Sequence, residues 1–78
     1  MLENKIDINK NIGLMVRYYR EQQGLTQEEL SFEAGLHRTY IGQVERAEKN
    51  VTLKSVYKIA LALNLDIRDL FDFSKLEK

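Results

Sequence analysis

Hydrophobic positions follow a helical repeat along most of the chain, and no run alternates between apolar and polar as a half-buried strand does. Proline is absent and only 4 glycines are present. One amphipathic segment carries an apolar stripe at Ile8, Ile12, Met15, Val16 and Tyr19. A later segment has an apolar face at Leu53, Val56, Tyr57, Ala60 and Leu63. The pattern predicts an all-α domain of five short helices.

The second helix has a recognisable start and stop. Thr26 is followed three residues later by Glu29, which is the spacing of a capping box. Gly35 lies where the chain must leave the helix with positive φ, and glycine adopts that conformation at little steric cost. Apolar i, i+3 spacing then resumes at once, so a third helix follows directly. Residues 26–46 therefore predict a helix-turn-helix.

The other helix boundaries have similar local signals. Gly24 is expected to terminate the first helix. Thr52 is a suitable N-cap for the fourth helix, and Asn64 is a suitable left-handed terminator. Asp66 with Asp69 has the spacing to open a fifth, short helix. The connections are then only a few residues long, as expected for one compact domain.

A chain of 78 residues is one domain, with residues 1–7 and 74–78 expected to be loose. Cysteine is absent, which excludes disulfides and thiolate zinc sites, and His37 alone makes neither a metal site nor a catalytic pair. No apolar run approaches the length of a membrane span, and no signal peptide opens the chain. We expect no metal, no cofactor, no membrane partner and no enzymatic activity, and a cytoplasmic location.

The formal net charge is zero, so overall basicity does not argue for a nucleic-acid partner. Residues 37–54 contain four basic and two acidic side chains, whereas residues 25–36 contain three glutamates and no basic residue. This distribution predicts modest non-specific affinity for DNA. Dimerisation would then help to make specific binding tight.

The chain resembles the lambda-repressor-like, XRE-type helix-turn-helix domains from about Ile12 to Phe71, through the motifs GLTQEEL, AGL, IGQVER and NVTL. Within that family, residues 37–46 look most like the controller proteins of restriction–modification systems. The resemblance implies a homodimeric regulator of transcription that binds a pseudo-palindromic operator in double-stranded DNA. The alternative is a phage-type repressor or antitoxin of the same fold that acts partly through protein contacts. No pocket for a small-molecule effector is evident.

Three side chains are expected to contact bases. Arg38 lies at the expected start of the recognition helix, where its guanidinium group can donate twice to guanine. The alternative for Arg38 is a surface ion pair with Glu33. Thr39 offers a hydroxyl group to a base or phosphate and a methyl group to thymine. The alternative is that Thr39 hydrogen-bonds the backbone groups at the start of the helix. Gln43 is one turn beyond Thr39, and the matching glutamine of phage repressors contacts operator DNA.

A further set of side chains is expected at the phosphate backbone, namely Gln27, Tyr40, Arg46, Asn50, Thr52 and Arg20. Three of these side chains have an alternative role. Gln27 braces the recognition helix in similar proteins, Tyr40 packs on the domain, and Thr52 caps a helix. The resemblance to phage repressors also implies a structural ion pair between Arg20 and Glu45.

The last helix is crowded with apolar residues. We expect a two-fold dimer interface there, formed by Ile67, Leu70, Phe71 and Phe73. The alternative is that these side chains close the bottom of the hydrophobic core. Leu70 is the residue that best fits this second role.

Overall fold

The structure is a computed structural model that describes residues 7–76. It confirms the all-α domain and contains five α-helices and a final 3₁₀ turn: α1 Ile8–Gln22, α2 Gln27–Glu33, α3 Tyr40–Glu45, α4 Leu53–Ala62, α5 Ile67–Phe71 and the turn Phe73–Leu76. Over the described range, none of the helices has the length and apolar character needed to cross a membrane.

The helix starts agree with the sequence signals. Capping boxes open α2 at Thr26 and Glu29, α4 at Thr52, and α5 at Asp66. The start of α1 is a correction, because Asp7 was expected in a loose arm. Its carboxylate instead accepts a hydrogen bond from the Lys10 backbone N–H at 3.1 Å and caps the helix. The rest of that expected arm, residues 1–6, lies outside the described residues.

The helix ends also follow the local signals. Gly24, Gly35 and Asn64 adopt φ of 72°, 71° and 63°, which confirms all three as left-handed terminators. Ala47, which directly follows α3 and its cap, has φ of 59° and was not anticipated. A non-glycine residue in this region stores strain, so the surrounding packing must hold the turn after α3 in place.

One core holds the helices together. Its fully enclosed large side chains come from every helix: Ile12, Met15, Leu30, Ile41, Ile59, Leu63, Leu70, Val16, Val44 and Val56. Helix α1 packs most closely against α3, at Gly13. A methyl group added there would collide with the carbonyl oxygen of Val44 and lie 3.1 Å from Glu45 Cα. Glycine is therefore required by this close approach of two backbones, which has no signal in the local sequence.

The predicted apolar face of α4 is only partly correct. Val56, Ala60 and Leu63 are buried as expected. Leu53 is 72% exposed and Tyr57 is 53% exposed, so placing these two side chains on the buried face of the helix was wrong. The buried face of α4 is centred further round the helix, on the side that includes Ile59.

The C-terminal segment differs from the sequence expectation in two respects. Leu70 is fully buried, so it closes the core and cannot contribute to a dimer interface. Ile67 and Phe73 also pack partly against the core, and only Phe71 of the four is substantially exposed, at 38%. The segment from residue 74, expected to be loose, continues the 3₁₀ turn to Leu76, which packs against the same core.

Candidate nucleic-acid interface

A buried serine holds the turn between α2 and α3. Ser31 is fully buried, and its Oγ accepts a hydrogen bond from the Ile41 backbone N–H at 3.2 Å. The first N–H groups of a helix have no intrahelical partner, so this bond satisfies one of them and ties α2 to the start of α3. Sequence reasoning did not single out Ser31, because its partner lies beyond the turn.

Helix α3 begins later than expected. Residues 37–39 form a turn in which the Tyr40 backbone N–H donates to the His37 carbonyl oxygen at 2.9 Å. His37 Nδ1 accepts from the Thr39 backbone N–H at 3.2 Å. Arg38 and Thr39 are therefore exposed residues of the turn before α3, where the expectation had placed them on the first turn of the helix.

An ion pair and a glutamine hold α3 in place through Glu45. Arg20 Nε lies 2.6 Å from Glu45 Oε2, and Nη2 lies 3.0 Å from Oε1. The two side chains are 11% and 4% exposed, and the bond to Glu45 raises the pKa of the Arg20 guanidinium above its ordinary value. Gln27 Nε2 donates to Glu45 Oε1 at 2.9 Å. Because Arg20 Nη1 also donates to the Leu25 carbonyl oxygen, all three of its side-chain nitrogens bond inside the protein.

Several of the expected DNA-contacting residues lie together. A shallow depression of about 220 Å³ is lined by Gln27, Glu28, Arg38, Thr39, Gly42 and Arg46. Arg38 is exposed, and within residues 7–76 it forms no ion pair, including with Glu33. The structure therefore presents two guanidinium groups and a hydroxyl group on one open surface beside α3. Gln43 lies on the same helix and is partly exposed.

Gly42 has an intramolecular role. A methyl group at this position would lie 2.9 Å from Gln27 Oε1 and 3.0 Å from Arg46 Nη1. Because Gly42 lacks a side chain, these two polar side chains can lie across α3. Gly42 therefore shapes the depression from within.

The loop after α3 carries the remaining expected phosphate contacts. Arg46 Nε donates to Glu48 Oε2 at 2.9 Å, and the two side chains are 56% and 52% exposed. This pairing lowers the pKa of the Glu48 carboxyl below its ordinary value. Asn50 Oδ1 accepts from Asn9 Nδ2 at 2.7 Å, while the Asn9 side-chain oxygen accepts from Val51 N–H at 3.1 Å. Asn9 thus fixes this loop to the start of α1, a role without a sequence signal.

Tyr40 has a hydrogen-bond partner within the protein. It packs partly against the core, and its hydroxyl group donates to Ser55 Oγ at 3.1 Å. A phenol has one hydrogen to donate, so this bond would have to break before Tyr40 donated to a phosphate. The alternative role, packing on the domain, describes its position. Thr52 caps α4 by accepting from Ser55 N–H at 3.0 Å.

No metal centre is formed in the part of the chain that the structure describes, since it contains no group of three or more His, Cys, Asp or Glu side chains able to hold an ion. The side chains around the depression beside α3 offer hydrogen-bonding groups and two guanidinium groups. These are the groups that contact base edges and phosphates in a DNA groove.

Comparison with known proteins supports this interpretation. The helix-turn-helix family model matches residues 16–70. Control protein C.SmaI of Serratia marcescens is 48% identical over 65 residues, which cover 83% of this chain and 77% of that protein. Control protein C.BamHI of Bacillus amyloliquefaciens is 44% identical over 63 residues, which cover 80% of this chain and 78% of that protein.

Two crystal structures of restriction–modification controller proteins share the fold. C.AhdI from Aeromonas hydrophila has a TM-score of 0.78 at 43% identity, with 81% of this chain and 96% of that chain covered. C.Esp1396I has a TM-score of 0.82 at 28% identity, with 95% and 97% covered. The chain therefore belongs to the helix-turn-helix family of DNA-binding transcriptional regulators, with close similarity to the controller proteins of restriction–modification systems.

Proposed function

We propose that this protein is a restriction–modification controller protein, a cytoplasmic homodimer that binds a pseudo-palindromic operator in double-stranded DNA and regulates transcription. The observation that carries the proposal is the open depression beside α3, where Arg38, Thr39 and Arg46 lie together. The similarity to C.SmaI, C.BamHI and C.AhdI supports the restriction–modification setting.

Arg38, Thr39 and Gln43 are the proposed base contacts. In helix-turn-helix proteins the N-terminal part of the recognition helix contacts base edges in the major groove. Arg38 and Thr39 precede α3 directly, and Gln43 lies one turn beyond Thr39. A guanidinium group donates to guanine O6 and N7 together, and such a bidentate contact discriminates against other bases by about 1–3 kcal/mol.

Arg46, Asn50 and Thr52 are the proposed phosphate contacts, which position the protein without reading sequence. Arg46 pairs with Glu48 in the free protein, and both side chains are about half exposed. Exposed ion pairs contribute little net stability, so a phosphate can replace the Glu48 carboxylate at low cost. Gln27 is proposed to act mainly by bracing Glu45, and Arg20 by its ion pair with the same residue.

The proposal of a homodimer follows from the charge of the chain and the geometry of DNA. A net charge of zero gives one subunit weak non-specific affinity. Two recognition helices related by a two-fold axis meet successive major grooves roughly 34–36 Å apart, which adds the contacts of a second half-site. The operator is therefore expected to be a pseudo-palindrome.

The test is DNA binding by Arg38→Ala against wild type, on an operator selected from random sequences, across a series of salt concentrations. We expect a loss of about 1–3 kcal/mol in specific binding and relaxed preference at one base pair per half-site. Arg68→Ala is the matched control, because it removes an equal charge from an 88% exposed side chain on α5. It should leave the base preference unchanged.

Two results would contradict the proposed site. Failure of the selection to enrich any sequence would remove sequence-specific binding. Unchanged affinity and base preference for Arg38→Ala would remove Arg38 from the interface. A uniform loss over all sequences would reassign this residue to the phosphate backbone.

A further inference from the structure

The loop of residues 46–52, between α3 and α4, is held near both of its ends by hydrogen bonds. Near its start, the Glu48 backbone N–H donates to a carbonyl oxygen of α3 at 2.8 Å. Near its end, the Val51 backbone N–H donates to Asn9 Oδ1 at 3.1 Å, and Asn9 Nδ2 donates to Asn50 Oδ1 at 2.7 Å. A side chain of α1 therefore fixes the second half of this loop.

Asn9 lies on a rigid part of the molecule. It is the second residue of α1, whose start is capped by the Asp7 carboxylate. Gly13 lies one helical turn further along the same face, where α1 and α3 meet backbone to backbone. That close contact sets the distance between the start of α1 and the end of α3. The side-chain amide of Asn9 therefore has a defined position relative to the loop.

The Val51 N–H group determines the orientation of two side-chain amides. A backbone N–H can only donate, so the Asn9 atom that faces it is the oxygen, and the Asn9 nitrogen faces Asn50. An amide nitrogen donates and does not accept, so the Asn50 atom that faces Asn9 is again the oxygen. The Asn50 side chain is exposed, and its nitrogen, with two hydrogens to donate, lies on the opposite side of its amide group from Asn9.

We infer that Asn9 is a positioning residue for DNA binding, which acts by turning the amide nitrogen of Asn50 outward as a donor to phosphate. This inference rests on the proposed function in requiring Asn50 to contact the phosphate backbone. A phosphate oxygen accepts hydrogen bonds, so an amide can bond to it only through its nitrogen. An Asn50 side chain turned the other way would present an acceptor to an anion.

Fixing the donor within the folded protein favours binding through conformational entropy. A loop side chain that is ordered only on association loses rotamer freedom at that moment, which reduces affinity. Asn9 orders Asn50 beforehand, so the phosphate contact requires less ordering when DNA binds. Because phosphate contacts position the protein without reading sequence, removal of the Asn9 amide should weaken binding to every sequence alike.

The test is a double-mutant cycle of Asn9→Ala and Asn50→Ala in the full chain, measured as the dissociation constant for an operator selected from random sequences. Each single variant should bind roughly three- to tenfold more weakly, as for the loss of one hydrogen bond, with base preference unchanged. If Asn9 acts through Asn50, the double variant should bind within about twofold of Asn50→Ala. A separate structural role for Asn9 would make the two losses multiply.

Asn9→Asp separates the orientation of Asn50 from the bond to Val51. A carboxylate still accepts from the Val51 N–H but cannot donate to Asn50, whose amide nitrogen would turn inward to meet it. Asn9→Asp should therefore have a higher melting temperature than Asn9→Ala and yet bind DNA more weakly. The added negative charge also opposes DNA binding, and Asn9→Asp in the Asn50→Ala background measures that part alone. The remaining loss should disappear in this background.

Asn11→Ala is the matched control. Asn11 is also an asparagine near the start of α1, but residues two apart on a helix do not share a face. This variant should bind DNA as wild type does, and circular dichroism checks that every variant is folded. Wild-type affinity of Asn9→Ala, or losses that multiply in the double variant, would overturn the inference. So would an Asn9→Asp variant that binds DNA more tightly than Asn9→Ala.

A duplex of random sequence separates this inference from the proposed function. Phosphate contacts do not depend on sequence, so the same cycle can be measured on that duplex at low salt. If wild type prefers no sequence but the two losses do not multiply on this duplex, the role of Asn9 stands and the proposed function fails. If wild type selects an operator and Asn9→Ala binds it equally well, the role of Asn9 fails and the proposed function stands. A wild-type protein that binds no duplex would overturn both.

Discussion

Replacing Gly13 with alanine should destabilise the protein, although alanine is the better helix former. Gly13 is buried where α1 crosses α3. A methyl group there would collide with the Val44 carbonyl oxygen and lie 3.1 Å from both Glu45 Cα and the Glu45 carbonyl oxygen. All three contacts are backbone atoms, so the helices must separate to admit the new group.

The magnitude follows from two opposing effects. Removing a glycine from a helix interior stabilises it by about 1 kcal/mol. Adding a methyl group to a closely packed contact typically costs about 1–3 kcal/mol, and more where the neighbours cannot move. Because the neighbours here are backbone, the cost lies at the high end, and we expect a net loss of about 2 kcal/mol. For a domain of this size that corresponds to a melting temperature lower by roughly 8–16 °C.

Gly42→Ala is the matched control, since Gly42 is also a buried helical glycine. Its added methyl group would meet Gln27 Oε1 at 2.9 Å and Arg46 Nη1 at 3.0 Å, which are the ends of flexible side chains. These side chains can move aside, so the helix gain should roughly cancel the packing cost and leave stability within about 1 kcal/mol of wild type. Affinity for DNA should fall, because Gln27 and Arg46 are displaced from the depression beside α3.

Urea denaturation followed by circular dichroism measures both variants, with thermal melts as a second determination. The midpoint should fall for Gly13→Ala with an unchanged slope, which indicates a change in stability alone. Wild-type stability in Gly13→Ala would refute the claim that α1 and α3 meet backbone to backbone. Equal destabilisation by both variants would show that the distinction between backbone and flexible neighbours is not what determines the cost.

Two further predictions concern charged groups. Glu45→Gln removes the carboxylate that pairs with the largely buried Arg20 at 2.6 Å, and we expect a loss of about 3 kcal/mol in urea denaturation. The Glu21 carboxylate lies 3.9 Å from Arg20 and forms an exposed pair with Arg17, so Glu21→Gln should cost under ~1 kcal/mol. The pKa of Asp66 is lowered from 3.8, mainly by its side-chain hydrogen bond to Arg68, so the folded state binds fewer protons than the unfolded state. The stabilisation that comes from this lowered pKa is complete above pH 3.8 and is lost as pH falls through the lower pKa of the folded state. Asp66→Asn keeps a capping side chain but has no carboxylate to protonate. Its stability should therefore fall less steeply in an acid titration.

Much of the local structure was predictable from neighbouring residues. The capping boxes at Thr26 and Asp66, and the positive φ of Gly35 and Asn64, all depend on atoms within four residues along the chain. Such features have the same physical basis in any helical protein, so a single sequence is enough to place them. The start of α3 was less predictable, because His37 caps a turn there instead of a helix.

The exposure of some candidate site residues was predictable from the sequence, but their contacts were not. Exposed Arg38 and Thr39 beside α3 agree with the sequence analysis. The hydrogen bond from the Tyr40 hydroxyl group to Ser55 was not predictable, because Ser55 lies on α4 and no local pattern indicates this partner. Asn9 was also missed, since its bonds to the loop after α3 span more than 40 residues.

The sequence by itself determined an all-α chain, its helix caps and turns, and a helix-turn-helix with basic and polar residues around α3. It did so because capping and helical periodicity act over one or two turns. Only the tertiary structure decided that Leu53 and Tyr57 face outward, that Leu70 belongs to the core, and that Gly13 is a backbone contact. Periodicity shows that a side of a helix is apolar, but what covers that side depends on residues far away in the chain or on another chain.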